Sequence, residues 1–196
     1  MGQYSYTYNG FGEVLTETSP SGQTNFQYDA LGRMVARGPA AAPAQHTTWT
    51  YDTHLKGFLR SVNKPANGPA DPAHQETYVY DNFGRLKEVP ETIGGANYTT
   101  KYDYNNIGKI GAVTYPGPGN FKVEYLYNGD GYLQKVQKSA TEIYWQATQA
   151  NALGQIERFE LSQGEMATVL GYEPSTGMLT SIKTTKVSNS ALLQDL

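Results

Sequence analysis

The chain has no cysteine, which excludes a disulfide scaffold and every thiolate-ligated metal site while leaving secretion open. No apolar run approaches a membrane span, and the first residues lack the basic and apolar regions of a signal peptide, so no membrane insertion is expected and any export signal must be encoded elsewhere. Basic residues are few as well, 15 against 18 acidic ones for a net charge of −3. Such a balance gives no electrostatic footprint for nucleic acid or an anionic membrane.

The usual carriers of chemistry are equally sparse. There is no Gly-x-Ser-x-Gly elbow and no histidine placed as a base beside a serine. Glu88, Glu91, Glu157 and Glu160 read as solvated strand or loop residues rather than a converging acid pair. Gly117 and Gly119 resemble a phosphate loop in composition only, because no helix start follows them. His46, His54 and His74 have no i, i+4 partner and no acid evidently placed as a third ligand, so neither a metal nor a cofactor is expected. The acids Asp29, Asp52 and Asp81 match neither the EF-hand nor the nonapeptide calcium pattern and read as turn residues. An enzyme is not indicated.

What the chain has is tyrosine, sixteen of them against six phenylalanines and two tryptophans, arranged with a period of two. In YVYDNFGRLKEV, residues 78–89, Tyr78 and Tyr80 alternate with Val79 and so share one face of a strand. Asp81 then begins a turn, its carboxylate able to bond the backbone two residues on, and Gly84 takes the left-handed position without steric cost. A type I turn closed by such a glycine is a three-residue hairpin loop, which predicts Arg85, Leu86 and Lys87 running back beside Asp81, Tyr80 and Val79.

The same frame recurs eight times, with anchor glycines Gly12, Gly32, Gly57, Gly84, Gly108, Gly131, Gly154 and Gly177 at spacings of 20 to 27 residues. That spacing holds one hairpin and its connection and no additional helix of ordinary length. Tyr8, Tyr28, Tyr51, Tyr104, Tyr127 and Tyr172 stand where Tyr80 stands; the third and eighth turns carry extra residues, and the seventh lacks tyrosine, keeping Trp145 and Asn151. Where a regular turn opens with Asp the residue after glycine is Arg, which predicts the cross-strand pairs Asp29 with Arg33 and Asp81 with Arg85. The expected fold is all-β, an array of about eight antiparallel hairpins, roughly sixteen strands, forming a curved strip. Residues 1–182 hold the eight repeats and 183–196 the start of a further, truncated one. Because the repeats begin and stop without a cap, both ends are expected to be cut points whose edge strands favour self-association. The proline-rich connections 38–46 and 63–74 are expected to be the most mobile internal segments.

Taken together, Y-x-Y-[DN]-x-x-G-x-[LVMI], clearest at residues 78–86 and 26–34, resembles the Rhs or YD repeat of bacterial polymorphic toxins, insecticidal toxin-complex proteins and teneurins. The resemblance spans nearly the whole chain. It implies a strip that spirals into a shell around a C-terminal toxin domain, a secreted or cell-surface bacterial location, and, as partners, the remaining repeats and toxin domain of a parent protein. The family's D-P-x-G core segment and variable toxin domain have no counterpart in this sequence. A second reading makes the tyrosine rows, among them Tyr6, Tyr78, Tyr102 and Tyr125, a glycan-binding surface. Sheet cohesion accounts for the spacing more directly, since cross-strand aromatic pairs each contribute about 0.2 to 1 kcal/mol.

Overall fold

The computed structural model describes residues 2–53 and 55–196 of the protein. It divides into two compact units, Met1–Lys101 and Tyr102–Leu196. Among the described residues the secondary structure is all strand apart from two short 3-10 turns.

The first unit holds β1 (Ser5–Tyr8), β2 (Val14–Ser19), β3 (Gly22–Tyr28), β4 (Met34–Pro39), β5 (Thr47–Tyr51), β6 (Leu59–Lys64), β7 (His74–Thr77), β8 (Val79–Tyr80) and β9 (Leu86–Ile93). It also holds most of β10 (Ala96–Tyr104), whose first six residues pair with β9. The second unit continues with β11 (Ile110–Thr114), β12 (Lys122–Tyr127), β13 (Leu133–Ser139), β14 (Glu142–Ala150), β15 (Ile156–Leu161), β16 (Met166–Tyr172), β17 (Leu179–Lys186) and β18 (Leu192–Asp195). The pairings are antiparallel throughout. Eight hairpins close at the eight predicted glycines. Among the described residues the strand count reaches eighteen rather than sixteen because β7 and β8 are separated at Tyr78, whose N–H bonds the Arg60 carbonyl instead, and because β18 folds back on β17. Residues 183–186 thus lie inside β17, and Ile182 and Leu196 exchange both backbone bonds.

The turns follow one pattern. In the turn at residues 81–84, Gly84 N–H donates to the Asp81 carbonyl at 3.0 Å while Asp81 Oδ1 accepts from the N–H groups of Phe83 and Arg85, both at 2.9 Å. Asn9, Asp29, Asn105, Asn128 and Asn151 make the same two side-chain bonds in their turns. A short carbonyl-bearing side chain satisfies backbone donors that the turn would otherwise leave bare, which is why Asn and Asp alternate freely there.

One register expectation needs correction. Tyr80 does lie opposite Leu86, but Val79 pairs with Glu88, so Lys87 is squeezed out of the ladder. The third residue after the turn glycine is skipped likewise at Leu15, Val35, Arg60, Gln134, Glu157 and Thr180. Each of these seven hairpins therefore carries a bulge on its returning strand, which raises the local twist and resets the in–out alternation.

The interior is thin. Among the described residues only Ala36, Ala112, Val113, Val123 and Ala167 are buried apolar ones, and no large side chain is fully enclosed. Part of the first proline-rich connection, read from the sequence as a loop, is regular structure. It contains the end of β4 and a 3-10 turn at Pro43–Gln45. His46 is buried there at 7% exposure, its Nε2 3.0 Å from the Pro39 carbonyl. In the second connection Lys64 is ion-paired with Asp71, and Asn67 N–H donates to the Asp71 carbonyl at 2.8 Å.

Candidate functional site at the seam between hairpins

The residues predicted to define the repeat meet their counterparts in the next repeat along two lines. The first runs through the tyrosine hydroxyls. Tyr51 donates to the Met34 carbonyl at 3.1 Å and Tyr80 to the Leu59 carbonyl at 2.9 Å in the first unit. Tyr127 donates to the Ile110 carbonyl at 2.9 Å and Tyr172 to the Ile156 carbonyl at 3.0 Å in the second. Each acceptor is the second residue after the previous hairpin's glycine. Burial of the ring raises the Tyr80 hydroxyl above its ordinary pKa, so it remains a donor at any physiological pH.

The second line runs through the residue directly after the glycine. Arg33 binds its own turn through Asp29, with Nε to Oδ2 at 2.7 Å, and grips Asp52 of the next turn with both terminal nitrogens. The guanidinium also lies over the Tyr51 ring at 4.4 Å. Hydrogen bonding to Arg33, aided by the Gly57 N–H, brings the Asp52 pKa down to about 2. The same guanidinium and two backbone N–H groups lower that of Asp29, and the two carboxylates hold the Arg33 pKa above its ordinary value. Lys109 reaches the Gly131 carbonyl and sits 5.2 Å above the Tyr127 ring, while Gln155 Nε2 donates to the Gly177 carbonyl at 2.8 Å. Where the residue is aromatic the contact becomes packing. Phe58 meets Tyr80 edge-on at 4.9 Å and lies against Gly84; Tyr132 lies against Gly154. A Cβ at Gly84 or Gly154 would stand 3.1 or 3.2 Å from those rings, so these glycines serve close approach as well as positive φ.

The predicted ion pairs form. Arg85 Nε meets Asp81 Oδ2 at 2.7 Å, matching Arg33 and Asp29. Burial pushes the Asp81 carboxyl up, but Arg85 and two backbone N–H groups outweigh it and leave the pKa lowered. What the sequence did not reveal is that Arg33 bridges Asp29 and Asp52, because that contact spans nineteen residues and depends on how one turn lies beside the next. Tyr6 and Tyr8 remain largely exposed on β1.

The histidines separate. His54 lies outside the described residues, and His46 is structural. His74, contrary to expectation, does have acids beside it: its Nε2 lies 2.8 Å from Glu91 Oε1 and 3.3 Å from Glu76 Oε1. Glu91 was invisible as a partner because β7–β9 pairing brings it there. Among the described residues no helix is long and apolar enough to cross a membrane.

The RHS Repeat family model matches residues 8–42, the span of the turns at Gly12 and Gly32. Residues 8–42 therefore carry an RHS repeat. Among solved structures the chain is similar to TcdB2-TccC3-TEV, with a TM-score of 0.58 and 20% identity over 98% of this chain and 12% of that one. TcdB2-TccC3 without its hypervariable C-terminal region gives the same values, and TcdB2-TccC3-Cdc42 gives 0.57 and 18% over the same coverage. These likenesses establish the fold. This chain spans about 12% of the length of those chains. The comparison with curated proteins returned no match. The chain is thus an all-β array of hairpins that carries an RHS repeat at residues 8–42.

Proposed function

We propose that this segment is part of the wall of a larger secreted RHS-type protein, in which joined hairpins enclose a C-terminal toxin domain. The observation that carries the reading is the seam. In four repeats the tyrosine hydroxyl is spent on the backbone of the preceding hairpin, and at Arg33, Phe58, Lys109, Tyr132 and Gln155 the residue after the glycine is spent on the next turn. Residues committed in this way resist separation of neighbouring strands, which is what a wall requires, and they supply no nucleophile, base or oxyanion donor. The description of one similar chain as lacking a hypervariable C-terminal region is consistent with a constant repeat body carrying a variable end.

A glycan-binding surface would need those hydroxyls and ring faces free to meet sugar, and their engagement argues against it. In the parent protein, limited proteolysis with antibody detection of the C-terminal region tests the proposal. The region should be protected in the wild type and cleaved faster when Tyr80→Ala and Tyr127→Ala loosen two seams. Equal protection in both, or a parent gene with no region beyond these repeats, would sink the wall reading. Saturable binding of a defined sugar, lost in Tyr102→Ala with Tyr125→Ala while the fold survives, would replace it with the glycan one.

A further inference from the structure

Strand β7 is only four residues long, yet it places His74 and Glu76 two apart and therefore on one face. Antiparallel pairing with β9 sets Glu91 directly opposite Glu76 and Ile93 opposite His74. Two like charges facing each other across a strand pair oppose sheet formation unless something positive lies between them. The imidazole is that neighbour, but a neutral ring offers at most one N–H at Nε2, and that nitrogen faces a carboxylate oxygen on each side. On the flanking strands the residues opposite this group are Val62 and Lys64 on β6 and Tyr98 on β10, and Lys64 is already ion-paired with Asp71. No free cation in that set balances the second carboxylate.

We propose that His74, Glu76 and Glu91 bind one divalent transition-metal ion of zinc type, stapling β7 to β9 beside the proline-rich connection. The three ligand atoms lie within 4.8 Å of one another. Ligands on a tetrahedral zinc, at about 2.0 to 2.2 Å from the metal, stand roughly 3.4 Å apart, so small side-chain rotations complete the site. Tyr78 donates its hydroxyl to Glu76 Oε2, which leaves Oε1 turned toward His74 and restrains the carboxylate as an outer partner does in metal sites. One imidazole nitrogen with two carboxylates selects zinc, cobalt or nickel over calcium and magnesium, which favour all-oxygen shells. All three side chains are about a quarter to a third exposed, so the ion has a path of entry.

The test is a calorimetric titration of the EDTA-treated, dialysed chain with zinc sulfate, repeated on His74→Gln, Glu91→Gln and His54→Gln after circular dichroism confirms that each is folded. One saturable equivalent is expected in the wild type and in His54→Gln, with loss in the other two. Tyr78→Phe should weaken binding by about 10-fold or more. A measurement that needs no variant accompanies it: zinc should raise the melting temperature of the wild type and equimolar calcium should not. Absence of saturable binding, binding that survives both His74→Gln and Glu91→Gln, or loss in His54→Gln would overturn the assignment.

Discussion

Replacing Tyr80 by Phe deletes one oxygen from the seam and leaves the ring, including its edge-on contact with Phe58, in place. The lost bond is the 2.9 Å donation to the Leu59 carbonyl from a partly buried hydroxyl. A neutral hydrogen bond of this kind contributes a net ~0.5–1.5 kcal/mol. Stability in a repeat array resides largely in the interfaces between neighbours. The loss should therefore fall on the coupling between the third and fourth hairpins and lower the melting temperature by about 2–4 °C per kcal/mol for a chain of this size. The two tryptophans give local readouts, Trp49 on β5 in the first unit and Trp145 on β14 in the second. In single-tryptophan variants followed by urea denaturation, Tyr80→Phe should shift the Trp49 transition more than the Trp145 transition, and Tyr127→Phe should do the reverse. If both substitutions leave both transitions within about 0.3 kcal/mol, below the range for a net hydrogen bond, the hydroxyl-to-backbone bonds do not hold the repeats together.

Asp52 should titrate near 2 by carboxyl NMR, and Arg33→Met should return it toward the ordinary 3.8. Because the folded-state pKa is depressed, the stabilisation from this contact is complete above about 3.8 and is lost as the pH falls through about 2. Gly154→Ala should cost about 1–2 kcal/mol in backbone conformation plus a contribution from displacing Tyr132, whereas Gly12→Ala, also at positive φ but facing open space, should show only the backbone part in thermal denaturation. His46→Ala should destabilise by about 1–3 kcal/mol by stranding the Pro39 carbonyl, and limited proteolysis should cut within residues 65–73 before residues 40–45.

The hairpins were legible because their determinants are local. Alternating tyrosines, an Asn or Asp whose side chain bonds the turn, and a left-handed glycine sit within seven residues, Tyr78 to Gly84 in the fourth repeat, and Asp81 with Arg85 follows from the same short range. The bulge was not legible. Leu15, Val35, Arg60, Lys87 and Gln134 share no property of size, charge or branching, so a slip of the backbone at that position leaves no mark in residue type. His46 was misread because a run of alanine and proline looks like a loop, while its burial comes from folding back onto the end of β4. Glu91 escaped for the same reason as Asp52: each partner arrives through strand or turn placement rather than through sequence proximity.

At five of the eight turns the residue after the glycine, Arg33, Phe58, Lys109, Tyr132 or Gln155, is suited to the turn it happens to face. Neighbouring repeats are consequently matched pairs, like adjacent teeth of a zip cut for one another, although all share one backbone plan. Moving the hairpin of Asp52 away from Arg33 would leave its acid without its cation. Order along the chain is therefore written into side chains at a single position. A repeat copied elsewhere by recombination would break two junctions at once, and could be accommodated only if the residue after the glycine changed on both sides.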